Sequence, residues 1–134
     1  MLLNHVMVAV TDMDRSVAFY EGLGFELIVR GSHDGTDGYA RFVLPGNVTL
    51  SLHIDATQDR RTTVIGLDCE GDLDGVIARW QAAGYSVVGP YEQPWLWREA
   101  YLRDPAGNRV CLFHAGVNRH NPPWRQTAEG SRGD

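Results

Sequence analysis

Five histidines, two cysteines and an all-arginine basic complement set the chemistry open to this 134-residue chain. Lysine is absent, which excludes a Schiff-base amine and a phosphate-loop lysine. No Gly-x-Ser-x-Gly elbow occurs, and no serine stands in a recognisable setting with a histidine and a carboxylate, so nucleophilic hydrolysis has no support. Acid–base work stays open, because His5, His53, Asp68 and Glu99 could move a proton if two of them face one cavity. Cys69 and Cys111 lie in apolar runs, far apart in the chain, so neither a disulfide framework nor a zinc knuckle is expected.

A second group of residues suits binding better than reaction. Tyr85, Tyr91, Trp95, Trp97 and Tyr101 fall within seventeen residues. Tyr85 reads as core, whereas Trp95 and Trp97 follow Pro94 in a connecting segment where sheet packing does not oblige them to be buried. Such rings can stack on a planar molecule and still donate a hydrogen bond. Tyr39 and Phe42 could add aromatic surface, and Arg41, Arg98 and Arg109 could offer guanidinium donors to a carbonyl or carboxylate.

The elements that must position these residues come from an internal repeat. Asp12-Met13-Asp14-Arg15-Ser16-Val17-Ala18-Phe19-Tyr20-Glu21-Gly22-Leu23-Gly24-Phe25 recurs as Asp72-Leu73-Asp74-Gly75-Val76-Ile77-Ala78-Arg79-Trp80-Gln81-Ala82-Ala83-Gly84-Tyr85. In both copies an Asp can cap a helix and a Gly can end it, which predicts helices near 13–23 and 73–83. Strands are predicted at 5–10, 25–29, 38–44 and 47–54, and again at 64–69, 86–88, 99–103 and 109–114. The pattern is strand, helix and three strands, twice, in modules of about 3–56 and 62–115 within one domain of 1–116. Residues 117–134 have no period and read as an extended, partly disordered tail, with Trp124 able to dock.

Composition bounds the partners. Hydrophobic residues at 43% with charged residues at 22% suit a folded globule, and a net charge of −5 argues against a nucleic-acid or anionic-membrane partner. No apolar run approaches the roughly 18 residues of a membrane span, and a reduced, cytoplasmic setting is expected.

The run at 12–25, with Asp104-Pro105-Ala106-Gly107-Asn108, resembles the vicinal oxygen chelate superfamily, which includes glyoxalase I, extradiol dioxygenases and bleomycin-resistance proteins. The resemblance implies an α+β fold in which two tandem βαβββ modules curl into half-barrels with helices outside, and a homodimer. The segment 95–105 looks most like the metal-free antibiotic-binding members.

Enzymes of this superfamily hold a divalent ion with His, Glu or Gln from the first and last strand of each module. His5 matches the first ligand position. Strand alternation groups His5, Met7 and Ala9 on one face and Thr49, Ser51 and His53 on another strand's corresponding face. Ser51 takes the second ligand place, Val64 the third and Cys111 the fourth, so one of the four expected ligand types is kept. A rearranged set of His5, His53 and Cys111 stays as an alternative.

The sequence therefore reads as a metal-independent, cofactor-free protein that sequesters a small natural-product-like ligand. His5, Met7, Tyr39, Ser51, His53, Trp95, Trp97, Tyr101 and Cys111 are its expected ligand-binding residues, with no catalytic residue and no metal ligand. The alternatives are a divalent-metal-dependent lyase, isomerase or dioxygenase, a metal-free epimerase or lyase, and a scaffold using the Asn121-Pro122-Pro123-Trp124 tail.

Overall fold

A computed structural model describes residues 2–31, 36–55, 57 and 63–126. It divides into two units, Met1–Val64 with Arg103–Arg109, and Ile65–Leu102 with Val110–Asp134. Both are βαβββ modules, and the architecture is α+β with helices outside the sheets, as the repeat predicts.

In the first module the elements run β1 (His5–Val10), α1 (Met13–Gly22), β2 (Glu26–Arg30), β3 (Tyr39–Leu44) and β4 (Val48–Ile54), with sheet order β1-β4-β3-β2. Strand β1 pairs parallel with β4, and β3 runs antiparallel to both its neighbours. Helix α1 starts where Asp12 accepts the Arg15 N–H at 3.1 Å, and Gly24 at φ +106° turns the chain out of it. Tyr20 on this helix packs against Phe25 and Phe42 at ring separations of 5.6 and 5.9 Å. Phe42 pairs with Leu50, and Leu52 with Val8, so these buried side chains form the helix-facing side of the sheet. Val6 shares that parity yet is exposed, at the start of the edge strand β1.

The fold-marking motif acts as a latch in this unit. Asp104 takes the N–H groups of Ala106 and Asn108 on Oδ1 at 2.9 and 2.8 Å. Its Oδ2 accepts the buried Tyr20 hydroxyl and the Asn108 amide, both at 2.7 Å, and that amide also donates to the Ala9 carbonyl at 2.9 Å. Burial first, then the Asp104 charge and the hydrogen bond to it, hold the Tyr20 hydroxyl far above its usual ionisation range.

The second module runs β5 (Val64–Asp68), α2 (Leu73–Ala82), β6 (Val88–Glu92), β7 (Arg98–Arg103) and β8 (Arg109–His114), with sheet order β5-β8-β7-β6. Two expectations are corrected here. Asp72 stands at the start of α2 but makes no capping hydrogen bond from its side chain; its carboxylate lies over Gly75 and reaches Arg79 at 3.4 Å. The strand expected at 86–88 forms instead at Val88–Glu92. Gly89-Pro90 reads in sequence as a turn, but at a sheet edge the ladder absorbs it with a register shift between Val88 and Tyr91. A single 3-10 turn, Gly116–Arg119, follows β8, and Trp124 is 41% exposed. Residues 127–134, expected to be disordered, lie outside the described residues.

Candidate functional site

On the first module, the sheet face opposite α1 carries five of the expected residues. Register places Met7, Ser51 and Arg41 in one row, His5, Thr49 and Val43 in the row beside it, and Ala9, His53 and Tyr39 in the next. His5 is exposed, with Nδ1 2.5 Å from the Thr49 hydroxyl and Nε2 3.3 Å from that of Ser51, so two hydroxyls fix its ring. Arg41 donates from Nε to the Tyr39 hydroxyl at 2.9 Å, and its guanidinium lies 5.4 Å from the Tyr39 ring centre. His53 keeps a buried Nδ1 that has no hydrogen-bond partner among the described residues. Met7 stands exposed on the same face.

The second module offers an aromatic face. Trp97 stacks on Phe113 at 4.6 Å with the rings 22° from parallel, and both pack with Tyr101 and Cys111. Phe113 also lies over Gly66, where a Cβ would stand 3.4 Å from the ring. Glu99 is 5% exposed, accepts Trp95 Nε1 at 2.8 Å on Oε2 and takes a short bond from the Tyr101 hydroxyl on Oε1. Gln93 donates to that same hydroxyl at 3.2 Å, and Trp97 Nε1 reaches the Asn118 carbonyl at 3.3 Å. Trp95 itself stays 44% exposed in the β6–β7 turn. A buried carboxylate framed by aromatic edges can take a ligand's donor, since each oxygen accepts more than one hydrogen bond.

Two proposed contributors lie elsewhere. Arg98 turns to Asp74 of α2 at 3.4 Å and to Glu92 at 3.8 Å, away from the Glu99 side of its strand. Asp68 lies exposed at the end of β5, bound to the Glu70 N–H at 2.9 Å and 3.8 Å from Arg119. Phe113 was missing from the expected binding set, and Glu99 was expected only as a cavity-facing acid–base group. Alternation from Cys111 would have found Phe113.

The residues at the superfamily's ligand positions do not fit an ion. Val64 offers no donor atom, and Ser51 offers a neutral hydroxyl already directed at His5. His5 and His53 cannot be brought together, because they pair with β4 and β1 positions four residues apart, about 13 Å along a strand. Among the described residues, the cluster able to hold an ion is Asp68, Cys69 and His114, away from those positions.

Tandem βαβββ modules built from a repeated sequence define the class of fold. A family model described as the glyoxalase/bleomycin resistance protein/dioxygenase superfamily matches residues 2–112, and the chain belongs to that superfamily. It is 27% identical, over 81% of its length and 84% of the other's, to an uncharacterized protein of Pseudomonas aeruginosa. Among solved structures it is similar to TnmS3, an antibiotic binding protein from Streptomyces sp. CB03234, at 27% identity and a TM-score of 0.72, covering 87% of this chain and 97% of that one. A bleomycin-binding protein complexed with bleomycin gives a TM-score of 0.68 at 22% identity, covering 85% and 98%, which is a likeness of fold. No helix among the described residues is long and apolar enough to cross a membrane.

Proposed function

We propose that the protein binds a small, flat organic molecule of the antibiotic or natural-product kind and holds it without chemical change or a metal ion. The observation that carries this reading is the aromatic face of the second module, where the Trp97–Phe113 stack shares a cluster with Tyr101, whose hydroxyl donates to the carboxylate of Glu99. A planar ligand would stack on Trp97 and donate to Glu99, with aromatic burial supplying most of the affinity. The likeness to an antibiotic-binding protein supports the ligand class. The proposal extends to a homodimer in the cytoplasm. Edge strands β1, β2, β5 and β6 leave backbone groups that a second copy could pair, and both cysteines are free thiols.

Tryptophan fluorescence titrations with a panel of planar antibiotics test the binding, with EDTA present throughout. Quenching by at least one member, lost in Trp97→Ala, is the expected result. Quenching by none, or quenching unchanged in that variant, would contradict it. The buried Nδ1 of His53, without a hydrogen-bond partner among the described residues, favours a second reading, proton transfer on a bound ligand. Mass spectrometry of the recovered ligand decides between the two: an altered ligand that His53→Gln leaves intact would establish the second.

A further inference from the structure

The ends of β5 and β8 carry a group of side chains that ligand binding does not use. Asp68, Cys69 and His114 each present one ligand atom, and these atoms all lie within 4.8 Å of one another. We propose that they form a binding site for a thiophilic divalent cation, with Zn²⁺ the best match.

The backbone builds this cluster from the sequence outward. Cys69 N–H donates to the Phe113 carbonyl at 3.0 Å, which sets Cys69 beside His114 across the β5–β8 pair. The chain then turns through Glu70 at φ +55° and Gly71 at φ +102°, and the Cys69 carbonyl accepts the Asp72 N–H at 3.3 Å. In that turn the Glu70 N–H holds Asp68 Oδ1 at 2.9 Å, orienting the carboxylate, while Oδ2 faces Arg119 at 3.8 Å. Gly71 and Gly116 flank the His114 ring, within 4.0 Å of a Cβ built at either position.

Donor chemistry selects the ion. A thiolate, a carboxylate and a neutral imidazole together balance two positive charges, and the soft thiolate with the borderline imidazole disfavours Mg²⁺ and Ca²⁺, which take oxygen ligands. Bonds of about 2.0–2.3 Å put tetrahedral ligand atoms about 3.3–3.8 Å apart, a closure that side-chain rotation at a strand end can supply. Among the described residues neither the Cys69 thiol nor the His114 ring is committed to a hydrogen bond or ion pair. Cys69 and His114 are half-buried and Asp68 is exposed, so the ion would have a ready path and a fourth position for water. Arg119, 3.8 Å from Asp68 Oδ2, must yield to the ion. Neither the Cys69 thiol nor the His114 ring is among the apolar side chains that pack with Trp97 and Phe113.

Equilibrium dialysis of the full chain against Zn²⁺ tests the proposal, with Co²⁺ as a spectroscopic probe. The expected result is one ion per chain and a thiolate-to-cobalt charge-transfer band. Cys69→Ser, His114→Ala and Asp68→Asn should each weaken Zn²⁺ binding at least about tenfold. Cys111→Ser and His5→Ala should leave it unchanged. Asp68 is exposed, so Asp68→Asn reports on the site even where another variant folds poorly. No Zn²⁺ uptake, a charge-transfer band surviving in Cys69→Ser, or loss of binding in Cys111→Ser or His5→Ala would each overturn the proposal.

Discussion

Replacing Tyr20 with Phe removes one hydroxyl from the interior of the first module and leaves the ring packing against Phe25 and Phe42 in place. The lost bond joins that hydroxyl to the Asp104 carboxylate at 2.7 Å, and both residues are buried. Hydrogen bonds to charged groups contribute about 1.5–3 kcal/mol. Asp104 retains the Ala106 and Asn108 backbone N–H groups and the Asn108 amide, so the charge is not orphaned. The expected loss is therefore near the low end, about 1.5–2 kcal/mol. The pH dependence gives a second signature. Burial raises the Tyr20 pKa in the folded protein, so its contribution is complete below the ordinary tyrosine value near 10 and is lost as the pH rises above it. Above that value the native protein should lose about 1.4 kcal/mol per pH unit more than Tyr20→Phe, which has no group to ionise there. Urea unfolding of both proteins between pH 8 and 11 measures the gap. A gap that closes as the pH rises is expected; a constant gap, or no destabilisation at pH 8, would refute the latch.

Three further outcomes follow from local geometry. Gly89→Ala should destabilise by about 1–3 kcal/mol in denaturant melts, because φ is +115° and the new Cβ would lie 2.9 Å from the Glu99 carbonyl oxygen. Gly75→Ala should instead raise stability by about 0.5 kcal/mol: the obstructing Asp72 carboxylate is exposed and can swing away, while the helix gains about 1 kcal/mol of propensity. Trp97→Ala should weaken binding of a planar ligand by about 1–2 kcal/mol beyond any change in stability, read by titration calorimetry with circular dichroism as the folding control.

The helices and seven of the eight strands were legible because their signals are local. The repeated Asp and Gly at 12, 24, 72 and 84 punctuate two helices, and alternation along β4 places Ser51 and His53 on one face. Strand β6 was not legible, since Gly89-Pro90 carries the signal of a turn and only pairing with β7 makes it a strand. The Asp104 motif was visible as a mark of fold, but its partners Tyr20 and Ala9 lie 84 and 99 positions away from the residues they bind. Trp95 illustrates the same limit: a turn residue has no alternation to count, and its bond to Glu99 depends on how the hairpin closes.

The most direct test is to titrate chelator-treated protein with the planar antibiotic that best quenches its fluorescence, and then to recover that molecule for mass spectrometry. Saturable binding without added metal, with the ligand returned at its original mass, is the predicted result. Binding that appears only after a divalent ion is restored, or a ligand returned chemically altered, would contradict it.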